Sequence, residues 1–286
     1  MKFFGITTAL AAIAIPGIIL TSCDEVKENE RYIDMGEITA KRTVLLEEFT
    51  GQFCTNCPLA HRTIENIVEQ YGENVVAVSI HAGRQSIGEN ENPNITGLRV
   101  DEGNEYASNW NITDYPSGIV NRTSGIKMHS EWQAIIRQEM EKPSLVDIEL
   151  TANYDADTQK ISINTGLTPG ANIDGYLQLW ITESGIIAPQ SGNPSETGFS
   201  YKPDYVHNHV FRAAVNGTWG EEIALITREP QTISNEITLK GNWIPANLSV
   251  VAFVYNSDEG VLQAAECKVR QLQTSQNNII ILNKDE

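Results

Sequence analysis

The sequence predicts an α/β unit followed by an all-β antiparallel sandwich. Three observations predict that order: a strand, helix and strand within residues 43–81, a helix closed by Pro143, and short strands separated by turns from residue 145 onward. The length of 286 residues suggests about two domains. A composition of 41% hydrophobic and 20% charged residues is that of a globular protein and excludes a fibrous or disordered chain. The formal net charge of -17 would repel nucleic acid and anionic lipid surfaces, so no nucleic-acid partner is expected for the folded body.

Met1-Lys2 supplies a positive start, Phe3 to Leu20 is an almost unbroken apolar run, and Leu20-Thr21-Ser22-Cys23 ends it. A charged start, an apolar stretch and small residues at a cleavage point describe a secretory signal over residues 1–22. A transmembrane anchor is the alternative, since about 18 apolar residues can just span a bilayer. Pro16-Gly17 and the small-small-Cys ending favour processing. Leu20-Thr21-Ser22-Cys23 resembles the lipobox of bacterial lipoproteins. That resemblance implies that Cys23 is acylated, palmitate included, and becomes the first mature residue. Cleavage removes Lys2 and no acid, leaving 19 basic and 37 acidic residues and a charge of -18. Residues 23–36 are expected to be the lipidated cysteine and a flexible tether, because Asp24 to Ile33 is polar and lacks apolar periodicity. Asp24-Glu25 resembles the surface-export signal of some Gram-negative anaerobes, which leaves the periplasmic face and the cell surface both open.

The α/β unit is expected over residues 37–142. Thr43 to Thr50 is apolar and β-branched and reads as a buried strand, followed by a turn at Gly51-Gln52-Phe53 and then Cys54-Thr55-Asn56-Cys57. Leu59, Ile64, Ile67, Val68 and Tyr71 fall at helical spacing, and Gly72 is a stop. Val75 to His81 is a second buried strand, so the unit is βαβ with parallel pairing. A Cys-x-x-Cys pair at the strand–helix junction puts Cys54 at the helix N-terminus, where free N–H groups and the helix dipole stabilise a thiolate. Cys54 is then the nucleophile of disulfide exchange and Cys57, one turn inside the helix, the resolving thiol. The two are close enough in sequence to pair in a compartment that permits disulfides. Cys267 is left over, expected as a small buried residue of an apolar strand. Residues 82–110 read as a long polar insertion suited to partner recognition.

Residues 43–122 resemble the thioredoxin superfamily. The resemblance implies that Glu48, six residues before Cys54, is a buried carboxylate able to accept a proton from Cys57. Glu47 and Glu48 alternate on the strand, so one of the two is expected inward and the other exposed. Ile112-Thr113-Asp114-Tyr115-Pro116 resembles the cis-proline segment of the superfamily and implies that Pro116 lies opposite the cysteines. A trans turn before a strand is the alternative. Phe53 stands where tryptophan is usual, and Pro58 follows the second cysteine. Cys54, Cys57 and His61 also have a metal-ligand spacing, which keeps a copper or zinc site as a weaker alternative.

His129 to Lys142 reads as a closing helix with Trp132, Ile135, Ile136 and Met140 on one side. Residues 143–270 are expected to form an immunoglobulin-like antiparallel β-sandwich, and residues 271–286 a C-terminal tail. Strands read at 145–154, 160–164, 176–182, 233–239, 248–255 and 261–267. Tyr205 to Arg212 carries His207 and His209 two apart, on one face if the segment is a strand. A polar loop on the sandwich is the preferred reading over a metal or anion site with Arg212.

Lipobox, tether, Phe-Cys-x-Asn-Cys-Pro, Tyr-Pro-Ser-Gly-Ile-Val-Asn-Arg and His-Asn-His-Val-Phe-Arg, in this order, resemble the outer membrane protein 28-related lipoproteins over nearly the whole mature chain. The resemblance implies a lipid-anchored outer membrane location and suggests adhesion. The leading expectation is thiol–disulfide exchange on protein substrates without a cofactor. A surface-binding or adhesion protein with a structural disulfide is the alternative, and a copper- or zinc-handling lipoprotein the third.

Overall fold

The computed structural model describes residues 41–275 and 278–280. The expected signal peptide, Cys23 and the tether lie outside the described residues, as do residues 281–286 of the tail. Within them the fold is mixed α/β, mostly strand, with several sheets.

Strand β1 (Val44–Thr50) is buried along its whole length. Leu45 and Phe49 face one side, Val44 and Leu46 the other, so apolar matter covers the strand on both faces, and the two carboxylates Glu47 and Glu48 are buried within it. Helix α1 (Cys57–Tyr71) starts with Pro58 in its first turn and ends at Gly72. Strand β2 (Val75–His81) pairs parallel to β1 from Val44 opposite Val75 to Thr50 opposite His81. Helix α2 (Asp101–Asn109) lies inside the segment read as a polar insertion. It buries little beyond Gly103, Tyr106 and Ala107, too brief an apolar stripe to register as helical periodicity. Strand β3 (Ser117–Val120) pairs antiparallel to the far side of β1, and helix α3 (His129–Met140) follows. Helices α1 and α3 cover one face through Ile64, Ile67, Trp132 and Ile136.

Pro143 follows α3, but the sheet does not end with it. Strands β4 (Val146–Asp155) and β5 (Lys160–Pro169) form a hairpin, and β6 (Ile173–Glu183) is the long spine of the second half. There follow β7 (Ile186–Ser191), the short helix α4 (Pro194–Thr197), β8 (Tyr201–His207), β9 (Val210–Ala214), β10 (Glu221–Leu225) and β11 (Gln231–Thr238). Strands β12 (Leu248–Asn256) and β13 (Gly260–Lys268) close the body, and β14 (Arg270–Gln271) pairs with β4. The main sheet runs β13-β12-β6-β9-β2-β1-β3, with β10 also on β6. Strands from both halves of the chain thus share one sheet, and the described residues form one compact unit. A second sheet, β11-β5-β4-β14, packs Ile161, Ile163 and Leu167 against Leu177, Leu179, Val250 and Ala252 of the first. On the opposite side of β6, Trp180 meets Tyr106 of α2, Phe211 and Phe253 at centroid distances of 4.8–5.1 Å. Tilted and edge-on aromatic pairs of this kind add about 0.5–1.5 kcal/mol each beyond the area they bury.

Tyr205 to Arg212 is not the polar loop read from the sequence. It is the end of β8 and the start of β9, joined through His209 at a φ of 56°. The left-handed turn separates the two histidines. His207 faces inward beside His81, whereas His209 lines a groove with Ser249, Gln263 and Lys268.

Candidate functional site

Cys54 and Cys57 are joined by a disulfide, with Cα atoms 5.4 Å apart. The helix starts one turn later than the sequence suggested. Cys57 is its first residue and Cys54 belongs to the preceding turn, because Pro58 has no N–H and is accommodated only in a first helical turn. Cys54 Sγ still receives a free helical donor, the Cys57 N–H, at 3.1 Å. The turn before the motif is fixed by the Phe53 N–H donating to Gln85 O at 2.8 Å. Cys54 is 4% exposed and Cys57 fully buried. The Tyr115–Pro116 bond is cis, and Pro116 leads directly into β3.

Both neighbouring carboxylates are buried, which corrects the expectation that one of them would be exposed. They do point opposite ways. Glu47 takes two hydrogen bonds from Arg122, at 3.0 and 3.1 Å. Arg122 sits at a φ of 58° with its guanidinium over the Phe253 and Tyr255 rings. The Arg122 guanidinium pairs with Glu47 inside the protein and compensates its burial. Glu48 has no such cation. Its Oε2 accepts from Ser79 Oγ at 2.7 Å, and burial pushes its pKa up to about 7.

Beside Glu48 lies a group of side chains that the sequence did not connect. His61 Nε2 is 2.9 Å from Thr50 Oγ1 and 3.5 Å from Glu48 Oε1, and its Nδ1 is 2.9 Å from the Tyr205 hydroxyl. Burial, together with His207, lowers the His61 pKa to about 3, so the ring is neutral at pH 7. His207 is lowered to about 4 by burial, and His81 falls well below the ordinary histidine range. The rings of His81 and His207 are 5.3 Å apart, those of His61 and His207 6.2 Å. Glu48 Oε1, both nitrogens of His81 and Nε2 of His207 have no hydrogen-bond partner among the described residues. A cavity of about 20 Å³, the room of a single water, lies against His61, Ser79, His81, Tyr205 and His207.

Cys54, Cys57 and His61 are not assembled as a ligand set. The sulfurs are bonded to each other, and both His61 nitrogens are engaged. Among the described residues no group of three or more His, Cys, Asp or Glu side chains is disposed to hold a metal ion. Arg212 does not join His207 and His209 around an anion. It is buried between Glu183 and Glu89, at 3.3 and 2.6 Å. Cys267, on β13, is unpaired and partly buried, and burial pushes its thiol up to about 12. Sequence reasoning also missed Gln190, which reaches over the motif from β7 and donates to Cys54 O at 2.9 Å. No local signal could have found it, because 136 positions separate the two. Tyr205 and His207 lie in the segment whose paired histidines the sequence shows, but their partners lie on β1, β2 and α1.

Residues 103–273, more than half of the chain, match the family described as Outer membrane protein Omp28. The chain belongs to this family. The Omp28 match begins within α2 and so excludes the disulfide turn itself. Among solved structures, HBP35 of Porphyromonas gingivalis superposes with a TM-score of 0.59 at 15% identity, covering 85% of each chain, a likeness of fold. A structural-genomics target from Agrobacterium tumefaciens gives 0.49 at 14% identity over 82% of this chain and 99% of its own. A domain of the outer membrane lipoprotein Omp28 from Porphyromonas gingivalis gives 0.31 at 23% identity over 45% of this chain and 90% of its own. No curated protein matches the chain significantly. As a member of an outer membrane family the chain is extracytoplasmic. Among the described residues no helix is long and apolar enough to cross a membrane.

Proposed function

We propose that this Omp28-family protein is a lipid-anchored thiol–disulfide exchange protein of the outer membrane, acting on protein substrates. In this reading Cys23 carries the lipid, residues 37–142 are a thioredoxin-like unit, and an immunoglobulin-like sandwich recognises the partner. The observation that carries it is the Cys54–Cys57 disulfide at the start of α1, with the protonatable Glu48 buried on the adjoining strand. Cys54 is the attacking thiolate, favoured by the Cys57 N–H on its sulfur. Cys57 resolves the mixed disulfide, Glu48 takes the proton that Cys57 gives up, and Pro116 flanks the substrate chain. A carboxyl with a pKa of about 7 exchanges a proton readily at neutral pH.

The test is the reduction potential of Cys54–Cys57, from glutathione equilibration of the chain with Cys267→Ser as background. A potential of roughly -270 to -120 mV is that of an oxidoreductase, and its position in that range gives the direction of electron flow. A value well below about -300 mV means a structural bridge.

A second reading is a surface-binding or adhesion protein in which the bridge is a staple. The near-complete burial of both cysteines favours it. It expects binding to a surface ligand to survive Cys54→Ser/Cys57→Ser, and thermal stability to fall.

A further inference from the structure

The turn that carries the disulfide is held by a part of the chain that belongs to neither large sheet. β7 and β8 form a separate two-stranded hairpin, with α4 at its tip. Its two ends are held by different chemistry. The base packs Ile186 and Ala188 on Leu98 and Val210. The tip makes a series of polar contacts with the turn and helix that carry the cysteines. Gln190 Nε2 donates to Gly51 O at 3.1 Å and to Cys54 O at 2.9 Å. The Ser191 N–H donates to Gln52 O at 2.8 Å, and the Asn193 N–H to Thr55 O at 3.0 Å. Arg62 of α1 donates to Glu196 O at 2.9 Å. Between base and tip the β7–β8 register shifts at Ala188–Gln190, where Pro189 has no N–H to give the ladder.

We propose that the tip of the β7–β8 hairpin is a lid over Cys54–Cys57, bending at Pro189, that must lift before an external thiol reaches Cys54. Exchange needs a second sulfur to approach the disulfide directly, and a disulfide whose cysteines are 4% and 0% exposed offers no such approach while the tip is down. Opening breaks hydrogen bonds that water replaces, whereas the apolar base stays anchored as the pivot. The inference deepens the exchange reading by assigning the control of access. It also holds for a bridge that never turns over.

The experiment is reduction of the full mature chain by excess dithiothreitol. One reductant thiolate attacks Cys54 Sγ and Cys57 leaves as a thiolate. The second reductant thiolate then closes its own ring and releases Cys54, so two electrons and two protons pass to the pair. Rates are read by quenched alkylation and mass, in wild type, Gln190→Ala and Arg62→Ala, with alkylation of Cys267 as the monitor of general loosening. The expected result is a rate about tenfold higher in Gln190→Ala and a few-fold higher in Arg62→Ala, with Cys267 alkylation unchanged. Equal rates in all three proteins would overturn the lid, and so would a gain that Cys267 shares. Arg62 is exposed, so its variant keeps the test available should Gln190→Ala not fold. Excess reductant drives the reaction whatever the potential. A bridge with a very low potential would therefore sink the exchange reading and leave the lid standing, and the converse also holds.

Discussion

Glu48 and the three histidines around it titrate in opposite senses, and both effects are measurable. The folded-state pKa of Glu48 is raised from 4.5 to about 7, so the folded protein holds a proton that the unfolded chain releases over that interval. The stability tied to this proton is fully present below pH 4.5 and lost as pH rises through 7, about 3 kcal/mol in all. Glu48→Gln has no such loss. Urea unfolding from pH 5 to 8 is expected to find the variant gaining on wild type as pH rises, and a constant difference would refute the burial argument. His61, His81 and His207 have lowered values, so the unfolded chain takes up protons first as pH falls from 6.5 toward 4. His207→Asn is accordingly expected to lose less stability than wild type between pH 6.5 and 4.5 in the same assay. Glu47 presents a different problem, since it is buried against Arg122. Arg122→Ala leaves that carboxylate buried without its cation and is expected to cost about 3–5 kcal/mol. Replacing Glu47 with Gln in the same chain should return part of that loss, which the double-mutant comparison in urea would read directly.

Elements were legible where one strand or helix carries its own pattern. β1 and β2 are legible as short apolar, β-branched segments, Val44-Leu45-Leu46 and Val75 to Val78, because each is covered on both faces, and α1 is bounded by Pro58 and Gly72. The cysteine pair is legible from its place between β1 and α1, whereas the expectations for Glu48 and Pro116 come from the resemblance stated for residues 43–122. β8 was not legible, since most of its residues are exposed and it shows no alternation. β9 was not either, because its buried Arg212 is neutralised by Glu89 and Glu183, far apart in sequence. The lid, and the part of the histidine group that Tyr205 and His207 supply, depend on contacts between segments more than 100 residues apart, which periodicity does not report. A glycine in β3 is an intermediate case. Gly118 reads as a weak strand residue, yet a Cβ there would lie 2.6 Å from the Trp132 ring. The absent side chain is what lets α3 sit on the sheet. Gly118→Ala is expected to cost about 1–3 kcal/mol by overpacking. Thermal denaturation should show the loss, and an unchanged melting temperature would mean that α3 shifts freely.

At the scale of the whole molecule, the question is whether the two halves divided at Pro143 could exist apart. β2 would lose β9, including the Ser79 N–H bond to His209 O at 2.8 Å, and would present an open edge in the middle of what is now a continuous sheet. The apolar face formed by Leu45, Phe49, Val78 and Tyr106 would lose Trp180, Phe211, Val251 and Phe253, all supplied from beyond residue 143. Buried polar groups would be stranded too. Arg42 donates to Val261 O at 2.6 Å, and the Val261 N–H to Asn121 O at 2.8 Å. Asn121 in turn holds the Leu45 N–H through its side chain. Each lost aromatic side chain alone is worth about 3–5 kcal/mol when cut to alanine, and a domain has only about 5–15 kcal/mol in total. A fragment ending at Lys142 is therefore expected not to fold cooperatively, whereas the full chain should melt in one transition seen equally by circular dichroism and calorimetry. A fragment that melted sharply with native-like helix content would show that the first half is an independent domain carrying its own complete core. The shared sheet would then be a docking surface rather than the foundation of the fold.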